Sequence, residues 1–197
     1  MTLTEYRPEE FRESCTPVLV TERLSLRAPR IEDAKAVAAL ANDRRIAENT
    51  LRIPHPYKYA DAMQWIAAAN TRPGEETFLI WRDDDVVGAC GFDLREGPEP
   101  EVGYWIGAPF WGNGYATEAV RGVIDHAFFA RGHTALAAGA RVSNPASRRV
   151  LEKCGFQWNG VGLYRFHAIA SSAPCDRFRL EQGIWSSLKS WSAKKAV

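Results

Sequence analysis

Apolar and polar residues alternate from Glu101 to Ile106 and change to a helical spacing from Ala116 onwards. The alternating segment is rich in aromatic and β-branched residues, which is typical of a strand, and Pro109 ends it because proline offers the sheet no N–H. The later apolar residues follow the i, i+3, i+4 spacing of a helix that faces a core, namely Ala116, Ala119, Val120, Val123, Ile124, Ala127 and Phe128. The pattern predicts a strand, a short loop and a helix.

The loop between this strand and helix contains Gly112 and Gly114. A helix N-terminus presents N–H groups without intrahelical partners and the positive end of the helix dipole, so it stabilises an anion. The loop is therefore either a cradle for a phosphate or pyrophosphate, or an ordinary turn that uses glycine for its positive φ. The chain has neither a P-loop motif nor the third glycine of a dinucleotide fingerprint, so neither an ATPase nor a Rossmann enzyme is predicted.

The alternating pattern of strands and the i, i+3, i+4 pattern of helices also divide the rest of the chain into elements. They predict strands at 18–27, 77–81, 86–94, 135–142, 156–169 and 176–180, and helices at 31–41, 59–70 and 145–154. The charged run Arg82–Asp85, with three successive aspartates, predicts a hairpin turn, and Ser171–Pro174 is predicted to connect the last two strands. This order of elements indicates a mixed sheet with helices on both faces.

The 197 residues suit one domain with a sizeable core. Residues 1–17 are polar and lack a strong period, so we expect an N-terminal extension, a domain at 18–186 and a C-terminal tail at 187–197. The chain shows no apolar run of about 20 residues and no apolar segment typical of a secretion signal, so we expect a cytoplasmic protein that binds no membrane. A formal net charge of +1 argues against a broad basic face for nucleic acid.

The four cysteines form no C-x-x-C pair and no group with the four histidines, so neither a metal site nor a disulfide framework is predicted. Cys154 falls in the last turn of its predicted helix, where the helix dipole disfavours a thiolate. We therefore expect Cys154 to be a core residue and not a nucleophile.

Two segments resemble signatures of the Gcn5-related N-acetyltransferases (GNAT). Trp111–Ala116 is similar to the family's acetyl-CoA pyrophosphate motif, Q/R-x-x-G-x-G/A, with tryptophan at the first position. The longer run W-G-N-G-Y-A-T-E-A resembles the form found in the ribosomal-protein-alanine N-acetyltransferase subfamily. Asn144–Phe156 is similar to that subfamily's second signature, N-x-x-S-x-R-V-L-E-K-x-G-F. The resemblance covers most of the chain and implies an α/β fold with a single mixed, mostly antiparallel sheet and helices on both faces.

The resemblance also implies that acetyl-CoA is the cosubstrate and that its pantetheine lies between the strands at 101–107 and 135–142. Backbone N–H groups near Ile106 would then polarise the thioester carbonyl during direct attack by the amine. Asn144 is implied to face the cofactor. It is also a good N-cap for the helix that follows it, and the two roles are compatible. The cofactor-binding residues that the resemblance implies are Trp105, Ile106, Trp111, Gly112, Asn113, Gly114, Tyr115, Ala116, Thr117 and Asn144.

Glu101 and Ser147 are the catalytic candidates. Many family members have a tyrosine, where this chain has Leu151, that protonates the leaving thiolate. Because a free thiol has a pKa near ~8.5, a weaker donor can serve, and Ser147 or a water is the candidate. Glu101 is either the base that takes the proton of the amine through a water, or a solvated carboxylate at the edge of the strand.

Ile53–Tyr57 contains two prolines and must be a loop. The resemblance puts it in the wall of the acceptor site, with His55 and Tyr57 as contacts, and the alternative is a rigid connector. We expect transfer of acetyl to a primary amine at a protein or peptide N-terminus. A small-molecule amine, such as an aminoglycoside or polyamine, and a non-catalytic acetyl-CoA-binding module are the alternatives. The oligomeric state stays open, with a dimer among the options.

Overall fold

The structure is a computed structural model that describes residues 16–69, 71, 74–94 and 98–195. Its strands are β1 (Leu19–Val20), β2 (Ser25–Arg27), β3 (Glu76–Arg82), β4 (Asp85–Asp93), β5 (Glu101–Ile106), β6 (Ala135–Arg141), β7 (Gln157–Phe166) and β8 (Ser171–Glu181). Its α-helices are α1 (Ala34–Ala41), α2 (Arg44–Ala47), α3 (Tyr59–Ala69), α4 (Tyr115–Asp125), α5 (Pro145–Lys153) and α6 (Gln182–Lys195). A π-helical turn, His126–Ala130, extends α4, and short 3-10 turns lie at Ile31–Asp33 and Ala108–Phe110.

The strands form one sheet in the order β1-β2-β3-β4-β5-β6-β8-β7. Within the described residues, neighbouring strands are antiparallel except for the parallel pair β5 and β6. The predicted mixed, mostly antiparallel sheet is therefore confirmed.

Helices cover both faces of this sheet, as predicted. Helices α1 and α3 pack on one face through Val37, Ala41, Ala62 and Ile66 against Leu79 and Ala89. Helices α4 and α5 cover the other face, where their apolar stripes meet the strands in a larger core built from Val120, Val123, Ile124, Leu151, Phe78 and Leu136. Helices α1, α3 and α4 thus bury most of the apolar stripe that their sequence period indicated, whereas α5 buries Leu151.

The parallel strands β5 and β6 pair over a short stretch. Their register joins Glu101 to Ala137 and Val102 to Ala138, and the amide of Ala137 donates to the carbonyl of Pro100 at 2.9 Å. Among the described strands, β5 towards Ile106 pairs with β4 alone, whereas β6 continues along β8. The two strands therefore separate and leave a wedge in the middle of the sheet, between β5 and the start of α5.

Two predicted strand assignments are wrong in detail. The strand expected at 18–27 is a pair of short strands. The chain turns between them, where the N–H of Thr21 donates a hydrogen bond to the carbonyl of Leu24 at 2.9 Å. The last connection lies at His167–Ala170 and not at Ser171–Pro174, which belongs to β8. Ala170 has a φ of 49° and donates its N–H to the carbonyl of His167, and this contact closes the turn.

The structure describes the C-terminal end of the chain more fully than the N-terminal end. Of the predicted extension at 1–17, residues 1–15 lie outside the described residues. Most of the predicted tail at 187–197 is helical, because α6 continues to Lys195. This helix is held by buried Trp185, whose indole N–H donates to Asp125 at 2.8 Å, and by Lys189, which contacts the same carboxylate. Across 16–69, 71, 74–94 and 98–195, no helix has the length and apolar character needed to cross a bilayer.

Candidate active site

The glycine loop adopts a backbone conformation that glycine favours. Gly112 has a φ of 80° and Gly114 a φ of 82°. Gly114 is the N-cap residue of α4, and it has no side chain that could accept a hydrogen bond from the first turn of that helix. A methyl group built on Gly112 would meet no atom of the described residues within 4 Å. The loop thus leaves open space in front of a helix N-terminus, which is the arrangement that binds an anion.

Trp111 fixes the loop to the end of β5. Its indole N–H donates to the carbonyl of Ile106 at 2.6 Å, and the guanidinium of Arg45 stacks on the ring at 4.9 Å. Asn113 braces the same loop, because its side-chain amide donates to the carbonyls of Phe110 and Trp111. Trp111, at the first position of the glycine-loop motif, therefore holds the loop in place through its side chain.

The first turn of α4 is also anchored to the turn between β1 and β2. Glu118 accepts hydrogen bonds from the hydroxyl of Thr21 and from the N–H of Arg23, both at 2.7 Å, and it pairs with the Arg23 guanidinium. Burial alone would raise the pKa of Glu118, but the hydrogen bonds from Thr21 and Arg23 outweigh it and lower that pKa. A charged Glu118 therefore ties the helix that follows the loop to the edge of the sheet.

Two cavities of about 480 Å³ each adjoin the wedge. The first, the loop cavity, is bounded by the glycine loop, α2 and the first turns of α4 and α5. The second, the strand cavity, lies on the side of α1 and α3, against β4 and the start of β5. The two cavities share the lining residues Asn49, Thr50, Tyr104, Trp105 and Ser147. Two molecules bound one in each cavity would therefore meet at this junction.

The loop cavity suits a pyrophosphate. Besides the glycine loop it is lined by Arg45, Arg149 and Lys153, whose positive charges favour a phosphate. The residues that the sequence assigned to the cofactor and that line it are Trp105, Ile106, Trp111, Gly112, Gly114, Tyr115, Ala116, Thr117 and Asn144. The donor set, the positive φ angles and the open space at Gly112 fit the diphosphate of coenzyme A.

The strand cavity is rich in carboxylates. Asp61, Glu75, Asp93 and Glu101 line it, and Arg52 pairs with Asp93 at 3.0 Å. Tyr57 is buried in its wall, and burial, with a smaller contribution from nearby Asp61, raises the pKa of its phenol to about 12. The sequence prediction that Tyr57 lies in an acceptor wall fits this position.

Two predicted site residues lie elsewhere. His55 is exposed and does not line the strand cavity, because the loop turns its side chain to solvent between the two prolines. Asn113 does not line the loop cavity, since its amide bonds to the backbone of the loop itself. Asn113 therefore supports the backbone conformation of its own loop.

Ser147 lies at the junction, in the first turn of α5. Its N–H donates at 3.1 Å to the side chain of Asn144, so Asn144 is the N-cap that the sequence predicted. The phenol of Tyr104 lies 2.8 Å from the hydroxyl oxygen of Ser147. Sequence reasoning missed Tyr104, although the alternation along β5 places it on the same face as Val102 and Ile106.

Neither Leu151 nor Cys154, which follow Ser147 in the chain, offers a proton donor to the cleft. Leu151, which replaces the tyrosine of many family members, is fully buried. Cys154 is also buried, and burial raises the pKa of its thiol to about 11. Cys154 is thus a core residue, as the position at the helix end indicated. Among the residues whose placement is described, no three His, Cys, Asp or Glu side chains are grouped to hold a metal ion.

Comparison with known proteins agrees with this geometry. The sequence profile of the acetyltransferase (GNAT) domain matches residues 23–157. The N-acetyltransferase p20 of Bacillus licheniformis is 30% identical and aligns with 73% of this chain and 84% of its own length. The N-acetyltransferase YoaA of Bacillus subtilis is 33% identical and aligns with 74% of this chain and 85% of its own length.

Solved structures share the fold at low sequence identity. RimJ of Mycobacterium smegmatis, in complex with CoA-disulfide, superimposes with a TM-score of 0.76 at 19% identity, covering 86% of this chain and 90% of RimJ. RimL, a ribosomal L7/L12 α-N-protein acetyltransferase in complex with coenzyme A, superimposes with a TM-score of 0.75 at 16% identity, covering 84% of this chain and 98% of RimL. The Microcin C7 self-immunity acetyltransferase MccE, in complex with acetyl-CoA and AMP, superimposes with a TM-score of 0.73 at 19% identity, covering 85% of this chain and 98% of MccE. The profile match spans more than half of the chain, and the chain therefore belongs to the GNAT family of acetyl-CoA-dependent N-acetyltransferases.

Proposed function

We propose that this chain acetylates the α-amino group at the N-terminus of a peptide or protein, with acetyl-CoA as the acetyl donor. The observation that carries the proposal is the meeting of two cavities at Tyr104, Trp105 and Ser147. One cavity has the donors that a diphosphate needs, and the other has a carboxylate, Glu101, on the side from which an amine would approach. A cytoplasmic location is part of the proposal, because ribosomal proteins are acceptors named for similar proteins.

On the donor side, the N-terminus of α4 and the glycine loop hold the diphosphate of acetyl-CoA. The cosubstrate supplies a thioester whose carbonyl carbon accepts the amine. Backbone N–H groups near Ile106 stabilise the negative charge that develops on the carbonyl oxygen. Trp111 keeps this part of the backbone in place through its bond to the Ile106 carbonyl.

On the acceptor side, the choice of amine follows from its pKa. A free α-amino group has a pKa of about 7.7–8.0 and a lysine about 10.4, so near pH 7.5 roughly a third of the former is neutral but only about one in a thousand of the latter. The difference of ~2.6 pKa units corresponds to about 3.5 kcal/mol. Glu101 is the base proposed for the proton of the amine, directly or through a water, and one carboxylate serves a weakly basic amine more easily than a lysine.

A screen of acceptors tests this proposal. Peptides that begin with Ala or Ser are compared at pH 7 with peptides of the same sequence whose N-terminus is blocked and which contain one lysine. Release of coenzyme A is followed with a thiol reagent, and mass spectrometry locates the acetyl group. We expect acetylation of the free α-amine. Faster reaction of the blocked, lysine-containing peptides would contradict the choice of acceptor.

The carboxylates of the strand cavity favour a second candidate. Asp61, Glu75, Asp93 and Glu101 present more negative than positive charge to an acceptor, which suits a small molecule with several amines. Spermidine and an aminoglycoside therefore belong in the same screen. If they release coenzyme A with a higher kcat/KM than every free-N-terminal peptide, the small-molecule function replaces the peptide function.

A further inference from the structure

Tyr104 and Ser147 form a bridge across the wedge between β5 and α5. The phenol oxygen of Tyr104 lies 2.8 Å from the hydroxyl oxygen of Ser147 and 3.0 Å from the Ser147 carbonyl oxygen, to which it can donate. Both residues line both cavities. The bridge therefore lies where the substrates of the proposed reaction meet.

The phenol of Tyr104 remains protonated in this position. Burial raises its pKa above the ordinary value for tyrosine, and the hydrogen bond with Ser147 reduces this increase only in part. A neutral phenol has one hydrogen to donate, and Ser147 offers it two acceptors. The direction of that single hydrogen determines what the serine hydroxyl can do.

Two arrangements of the bridge are possible. If the phenol donates to the Ser147 carbonyl, the serine hydroxyl donates back to the phenol oxygen, and both hydrogens stay within the pair. If the phenol donates to the Ser147 hydroxyl oxygen, the serine hydrogen is free to point into the cleft. An electron-rich atom in the cleft favours the second arrangement, because it provides an acceptor for that hydrogen.

We propose that Tyr104 is a positioning residue that directs the hydroxyl hydrogen of Ser147 towards the sulfur of coenzyme A. The proposal rests on the proposed acetyl transfer. In that reaction the amine nitrogen forms a bond to the carbonyl carbon, the carbon–sulfur bond breaks, and the electron pair stays on sulfur. The proton of the amine leaves through Glu101 to solvent, and the departing thiolate takes a proton from solvent. Ser147 donates a hydrogen bond to the developing thiolate, and Tyr104 polarises that donor.

The first test needs no acceptor. The thiol of bound coenzyme A is titrated by the ultraviolet absorbance of its thiolate, with the complex of a sulfur-free coenzyme analogue subtracted to remove the protein's own cysteines. A hydrogen bond to the thiolate lowers the thiol pKa, so Tyr104→Phe and Ser147→Ala should each raise it by about one unit. Tyr59→Phe is the matched control, since Tyr59 lies at the exposed start of α3 and outside both cavities.

The second test uses steady-state kinetics with the best acceptor of the screen. Tyr104→Phe should lower kcat about tenfold, which matches one pKa unit, with little change in the KM for acetyl-CoA. Because Tyr104 acts through Ser147, the double variant should be no slower than Ser147→Ala alone. A loss of fold would lower the unfolding midpoint as well, so thermal unfolding is measured for each variant.

The outcomes separate this inference from the proposed function. An unchanged thiol pKa in Tyr104→Phe overturns the role of Tyr104 even if the wild-type enzyme acetylates peptides. Additive losses in the double variant also overturn it, because they show that Tyr104 acts independently of Ser147. If no peptide is acetylated but the thiol pKa shifts as expected, the proposed acceptor is wrong and the positioning role stands.

Discussion

Alanine substitutions at three glycines separate backbone strain from contact with the cosubstrate. Gly112 and Gly114 lie in the loop, and Gly132 lies in the turn after α4, where it has a φ of 73°. Within the part of the chain that the structure describes, an added methyl group meets no atom within 4 Å at Gly112 or Gly132. At Gly114 it meets the Arg23 guanidinium there at an ordinary contact distance of 3.5 Å. The folded protein therefore accommodates all three methyl groups, and the remaining cost is that of a left-handed backbone.

This cost is similar at the three positions. A residue other than glycine in the left-handed region costs about 1–2 kcal/mol. For a chain of this size, 1 kcal/mol shifts the unfolding midpoint by about 2–4 °C. We expect each alanine variant to unfold about 2–8 °C below the wild-type protein, as measured by differential scanning calorimetry.

Acetyl-CoA affinity should distinguish the loop variants from the control. Loss of one hydrogen bond between a backbone N–H and a charged phosphate costs about 1.5–3 kcal/mol, which raises Kd roughly 10- to 150-fold. Isothermal titration calorimetry should show this loss for Gly112→Ala and Gly114→Ala, more severely for Gly114→Val, and wild-type affinity for Gly132→Ala. If both loop alanine variants bind acetyl-CoA as tightly as Gly132→Ala, the loop does not hold the diphosphate.

Four further substitutions test the site. Asn144→Ala should lower the free energy of unfolding by about 0.5–2 kcal/mol and also slow turnover, whereas Ser147→Ala should slow turnover alone, as denaturant unfolding and kinetics will show. Trp111→Phe removes the donor to the Ile106 carbonyl, so we expect a loss of about 0.5–1.5 kcal/mol in unfolding and weaker acetyl-CoA binding by calorimetry. Glu101→Gln should lower the rate most on the acid side of the pH profile, where the amine is protonated, and an unmoved profile would remove Glu101 as the base.

The features that the sequence predicted correctly depend on residues close together in the chain. The Asn144 cap is a contact with the N–H of Ser147, three residues later. The glycine loop needs only the order of strand, glycines and helix, and the helical stripe of α4 needs only its own period. Local rules are sufficient for such features because each contact lies within one turn or one element.

The missed features join distant parts of the chain. The bridge between Tyr104 and Ser147 spans 43 residues, and the contact between Thr21 and Glu118 spans 97. Both depend on how strands are ordered in the sheet, which the period of a single segment does not specify. A serine in a first helical turn or a glutamate near a helix N-terminus is locally explained without these partners.

The loop at 53–57 shows why the orientation of its side chains could not be predicted from the sequence. Its prolines restrict the backbone, but they do not determine which side chain faces the protein. Tyr57 faces inward, with its N–H bonded at 2.9 Å to the side-chain oxygen of Asn42, whereas His55 faces solvent. The orientation of Tyr57 depends on its hydrogen bond with Asn42, the residue that ends α1. It is therefore determined by a tertiary contact.

The alternation along β5 connects the two halves of the proposed reaction. Because successive side chains point to opposite faces of a sheet, Glu101 and Trp105 face α1 and α3, whereas Tyr104 and Ile106 face α4 and α5. The core clusters agree, since Trp105 packs with the first pair of helices and Ile106 with the second. One strand thus carries the proposed base, Glu101, on one face and Tyr104, which we propose positions Ser147, on the other. In the proposed reaction, a substrate on one face of the sheet meets a substrate on the other face at the wedge beside this strand.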